Sequence, residues 1–150
     1  MSAVPRPALA LGLAGLLPFV WGVATLLSPA LAEAGLRVLG PRFVGPFVLI
    51  AYGRVILCFM AGVLWGFAAQ GAPDQWRGYA LSVMPALWAF FFVGGGPVQA
   101  LWALLTGFVL LLAMDAQFGH WGLTPRWWMT LRLLLTAGVV LCLGAGLWLA

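Results

Sequence analysis

Lysine is absent, and the 150-residue chain carries only three acidic residues, one histidine and two cysteines. Each shortage removes a class of function. Seven arginines against three acids leave a net charge of +4. They are scattered along the chain, so no basic stripe forms that could track nucleic acid, and the expected role is anchoring helix ends at anionic headgroups. Three dispersed carboxylates (Glu33, Asp74 and Asp115) supply neither a catalytic pair nor a metal cluster. A lone His120, in the expected loop DAQFGHWGLTPR, cannot make a bis-histidine haem, and no Cys-x-x-Cys-His is present. Cys58 and Cys142 sit inside apolar runs, where they read as small packing residues rather than a disulfide or ligand pair. No cofactor and no enzymatic activity is expected.

What is abundant is apolar. The chain is 65% hydrophobic and 7% charged, with a mean hydropathy of +1.11. A soluble domain of this size could not assemble a polar surface from so little. The expected fold is an all-α integral membrane protein. Residues 1–150 form a single domain, a bundle of five transmembrane helices with a short interfacial helix between helices one and two. A spanning helix needs roughly 20 apolar residues. The five runs are Ala8–Leu27, Val44–Ala68, Gly78–Val93, Pro97–Met114 and Trp127–Leu149. Pro18 and Pro85 predict kinks in the first and third. The Gly94-Gly95-Gly96-Pro97 run predicts a tight hairpin after the third. SPALAEA after the first run has the form of a secretory cleavage site. The apolar run before it exceeds a typical signal core, so a span is expected instead.

Between runs one and two, Ser28 can cap a helix that Gly40-Pro41 stops, with Glu33 and Arg37 four apart in the favourable order. Its apolar residues predict a helix at the membrane surface. The arginine bias places Arg6, Arg77, Arg126 and Arg132 on the cytoplasmic side, against Arg37, Arg42 and Arg54 outside. The N-terminus is therefore expected inside. Trp127 and Trp128 fit the headgroup level, and the other tryptophans fit packing and anchoring.

Charges inside spans are costly and point to contacts. Asp115, expected at the end of helix four, and Arg132, one turn into helix five, predict a structural ion pair across that hairpin. Arg54 falls in the first half of helix two, on the opposite face. It either snorkels to a lipid phosphate or bonds Glu33 or a neighbouring subunit's carboxylate or carbonyl. Two turns on, Gly62 and Gly66 form a G-x-x-x-G that permits close helix approach, for internal packing or for association with another chain. Arg54, Gly62 and Gly66 are the expected partner or lipid contacts.

The blocks PALALGLAGLLPF, YGRVILCFMAGVLWG, SVMPAL and GLTPRWWMTLRLLLTAGVVLCL, in that order, resemble the family of small bacterial membrane proteins related to mitochondrial transmembrane protein 69. The resemblance covers most of the chain and implies a five-helix inner-membrane protein, with no established activity or catalytic residues. In the family pattern a small residue follows Tyr52-Gly53 and a histidine precedes the Trp65-Gly66 pair. Here those positions hold Arg54 and Leu64. The signature of the tryptophan-rich sensory protein is absent. The expected function is a non-enzymatic accessory or assembly subunit of a respiratory or photosynthetic complex in a bacterial inner membrane. Its partners are the lipid bilayer and other membrane subunits. The alternative is a stand-alone small-molecule or lipid-binding protein or transporter, with a site among helices one and three lined by Arg54, Tyr52 or Gln99.

Overall fold

The computed structural model describes residues 3–150, and all the regular structure among them is helical. The first apolar run forms two helices, α1 (Arg6–Ala14) and α2 (Leu17–Leu27). Pro18 has no N–H to offer the Ala14 carbonyl, so the ladder breaks at Gly15–Leu16, where the Leu16 N–H turns back to Leu13 O at 3.0 Å. The short helix expected between runs one and two is α3 (Pro29–Val38). The Ser28 hydroxyl accepts from the Leu31 N–H at 3.4 Å, as the cap reading requires. Gly40 ends it with φ of 100°, a left-handed conformation that disfavours a Cβ, while its N–H bonds Gly35 O at 3.1 Å. A single 3₁₀ turn, Pro41–Phe43, leads into α4 (Gly45–Gly71).

Helices α5 (Trp76–Phe92), α6 (Pro97–His120) and α7 (Trp128–Leu149) complete the chain. Among the described residues, four segments are long and apolar enough to cross a membrane: Arg6–Leu27, Gly45–Gly71, Pro97–His120 and Trp128–Leu149. The expected fifth, α5, is 17 residues, or about 26 Å at the helical rise. It passes through Pro85 without a break, unlike the first run at Pro18. The fourth run extends past Met114 to His120. This corrects two expectations: Asp115 lies inside its helix rather than at the end, and His120 is helical rather than in a loop.

The core follows from apolar spacing on α4 and α6. Leu49, Leu57, Leu64 and Ala68 recur every four to eight residues on one side of α4, and all are fully buried. They face Leu101, Leu104 and Leu111 of α6, with α2, α5 and α7 packed around. The outside is apolar too. Phe90, Phe91, Phe59 and Trp102 are more than half exposed, a distribution that suits lipid and not water. Gly53 lets α6 approach, since a Cβ there would meet Leu104 Cδ1 at 2.9 Å. A Cβ at Gly107 would meet Leu57 at 3.0 Å, so α4 and α6 run parallel.

Candidate functional site

The densest polar chemistry lies between α6 and α7. On α7, Trp128, Arg132 and Thr136 recur every four residues and so share one helix face. All three are buried, Arg132 at 3% exposure and Asp115 opposite at 1%. Arg132 Nε donates to Asp115 Oδ2 at 2.8 Å, and Trp128 Nε1 donates to Asp115 Oδ1 at 2.8 Å. Each carboxylate oxygen therefore holds one charge-assisted or indole bond, which is what a buried carboxylate requires. The expected Asp115–Arg132 pair is present. It sits about 8 Å deeper than a helix-end position, because five further residues of α6 follow Asp115.

Two polar atoms of this cluster remain without a partner among the described residues: Arg132 Nη2 and Thr136 Oγ1. Both residues border a cavity of about 130 Å³. Its other walls include Leu11 and Gly15 at the α1–α2 break, Phe19 of α2 and Phe59 of α4. Arg54, Tyr52 and Gln99, the expected lining of a ligand site, are not among its walls. The kinked first run does border it, as expected, whereas α5 does not. A larger recess of about 460 Å³ opens at the α4–α5 turn beside Asp74, where the Tyr79 hydroxyl is already donated to Pro73 O at 3.1 Å.

Arg54 has an internal partner that the sequence did not reveal. Its Nη2 donates to the Val93 carbonyl at 2.6 Å, at the C-terminal cap of α5. The last carbonyls of a helix lack intrahelical donors and carry the negative end of the dipole, so a guanidinium there is favourable. Glu33 is not involved. It pairs with Arg37 at 3.7 Å on the exposed face of α3, a geometry that contributes little. Arg54→Ala is expected to lower stability by about 1 kcal/mol, the scale of one partly exposed charged hydrogen bond. Arg54→Lys should recover part of that loss. Thermal unfolding in nanodiscs checks both.

Gly62 and Gly66 face outward. Both are exposed, and a Cβ built on either meets nothing within 4 Å among the described residues. The internal-packing alternative for this G-x-x-x-G is therefore corrected: α4 buries its other side, where Ala61, Leu64 and Ala68 lie. Arg54, Cys58, Gly62 and Gly66 form one exposed ridge at four-residue spacing.

Trp128 and Thr136 are the site residues sequence reasoning missed. The signal was the WWMTLRLLLT register, in which both stand four residues from Arg132. The indoles of Trp21 and Trp88 donate to Phe43 O and Ala103 O, each at 2.7 Å, consistent with packing and anchoring. Arg77 stacks over Trp121 with 4.3 Å from guanidinium to ring centre, joining the α5 start to the α6 end.

This helical, lipid-suited chain matches the family described as proteins of unknown function (DUF3429) over residues 4–148. The chain belongs to this family. Its relatives include Transmembrane protein 69 of Xenopus tropicalis, 34% identical over 149 residues, which cover 95% of this chain and 54% of the relative. Transmembrane protein 69 of Mus musculus is 30% identical over 138 residues, 88% of this chain and 51% of that one. The DUF3429 chain thus spans about half the length of the curated relatives it matches. No solved structure matches it. The apolar helices and these transmembrane relatives make it a multi-pass membrane protein in contact with the lipid bilayer.

Proposed function

We propose that this DUF3429 protein is a non-enzymatic accessory or assembly subunit of a larger respiratory or photosynthetic complex in a bacterial inner membrane. One observation carries the reading, the outward ridge of Arg54, Cys58, Gly62 and Gly66 on α4. Small residues at four-residue spacing let another helix approach the backbone closely, the main attraction available between helices in lipid. In this chain that attraction is directed away from its own core. Arg54 heads the ridge and contributes as a contact at the lipid or partner boundary while holding Val93.

Five spans support a stable docking platform. The parallel run of α4 and α6 supports a return across the bilayer between them, for which α5 is the segment available. Its length of about 26 Å lies at the short end of spanning helices. With five spans, the arginine bias favours an N-terminus in the cytoplasm and a C-terminus outside.

Gly62→Leu/Gly66→Leu fills the ridge without touching the core. The expected result is a shift of the chain on native gels from a respiratory or photosynthetic assembly to the free form, with unchanged thermal unfolding. Unaltered co-migration with the assembly would overturn the docking role of α4.

A further inference from the structure

The cavity beside α7 goes beyond the subunit reading and does not depend on it. Its walls are apolar except for Arg132 and Thr136, each of which carries a group without a partner among the described residues, the Arg132 Nη2 and the Thr136 hydroxyl. Arg132 is 3% exposed and Thr136 is 4% exposed, so bulk solvent does not reach them. A buried donor left unmade is costly, and more so on a charged group. Both groups can donate, and both belong to residues that line the same cavity, so a small side-chain adjustment would let one acceptor oxygen bond to both.

Charge decides what kind of acceptor fits. Asp115 already offsets Arg132 through the 2.8 Å pair, which leaves the site with no net charge. A carboxylate or phosphate would bring an uncompensated charge among Leu11, Phe19 and Phe59, at a large desolvation cost. A neutral carbonyl oxygen brings none. Size and access point the same way. A volume of about 130 Å³ holds one ring or one ester group. The wall residues Leu11 and Phe59 are 76% and 64% exposed on the outer, apolar surface. The cavity therefore communicates with the lipid side between α1 and α4. A molecule dissolved in the bilayer can insert its polar end while its tail stays outside. Helix α1, which has no buried residue, contributes Leu11 and Gly12 to the outer wall.

We propose that this cavity binds the carbonyl end of an apolar, bilayer-borne molecule, with its oxygen accepting from Arg132 Nη2 and the Thr136 hydroxyl. That chemistry has two sources, a free carbonyl compound of the quinone type or the ester carbonyl of a membrane phospholipid.

The test uses the full chain in phosphatidylcholine nanodiscs, with decylubiquinone as probe and tryptophan quenching as readout. Trp128, bonded to Asp115 beside the cavity, is the nearby reporter. The discriminating variant is Thr136→Val, which keeps shape and removes only the hydroxyl. Saturable quenching that weakens about tenfold in T136V, the loss of one hydrogen bond, identifies a free carbonyl compound. Thr136→Ser should bind like the wild type. In delipidated detergent without probe, where the cavity is unliganded, T136V should also melt at the same or a higher temperature, because an unsatisfied hydroxyl is gone; a merely structural threonine would melt lower. If quenching is non-saturable, native mass spectrometry of polymer-extracted protein provides the second arm. A phospholipid retained by the wild type and lost in T136V identifies the ester carbonyl as the source. Absence of both a saturable probe and a Thr136-dependent lipid would overturn the proposal and leave a water-filled cavity. Equal binding by T136V would overturn it as well.

Discussion

Asp115→Ala is expected to cost about 3–5 kcal/mol, the range for removing one partner of a buried ion pair. Asp115 is 1% exposed and takes the Arg132 Nε and the Trp128 indole, both at 2.8 Å. Its loss strands the rest of the guanidinium on a group that already has one unpartnered nitrogen. Asp115→Asn keeps one carbonyl acceptor but loses the charge, so a smaller loss is expected. The paired replacement Asp115→Ala/Arg132→Met should recover most of the stability, since removing both charges also removes their desolvation cost. Chemical or thermal unfolding in nanodiscs reads all three. If D115A melts like the wild type, the pair does not clamp α6 to α7.

Phe19→Ala is expected to cost about 3–5 kcal/mol through the cavity it leaves. Phe19 is 1% exposed and stacks edge-on against Tyr52 at 5.1 Å and Phe108 at 6.3 Å between ring centres. It joins α2 to α4 and α6 at the level of the α1–α2 break. Truncation also enlarges the cavity beside Arg132. Phe19→Leu should cost less than half as much, because it refills most of the volume. The comparison by unfolding midpoint separates packing from any effect on binding.

The membrane class, the Ser28 cap and the Asp115–Arg132 pair were legible because each follows from local rules. Apolar run length, capping chemistry and two buried charges on one hairpin need no knowledge of distant packing. Arg54 was not legible. Its partner is the Val93 carbonyl, and a backbone atom carries no sequence signal. Nor could the sequence orient Gly62 and Gly66, since which side of α4 meets α6 depends on the register of Gly53 against Leu104. The end of α6 was misplaced because Asp115, Gln117 and His120 lower hydropathy without stopping a helix. Hydropathy measures preference for lipid, whereas the backbone ladder continues until Gly122 turns. The cavity was invisible for a further reason: it exists only where α1, α2, α4, α6 and α7 meet.

The ridge of Arg54, Cys58, Gly62 and Gly66 is the proposed docking face, and native mass spectrometry of the wild-type chain extracted with its surrounding bilayer tests it. The prediction is a stoichiometric complex between this chain and the subunits of one respiratory or photosynthetic assembly. A lone monomer, or a homo-oligomer with no such subunits, would contradict it.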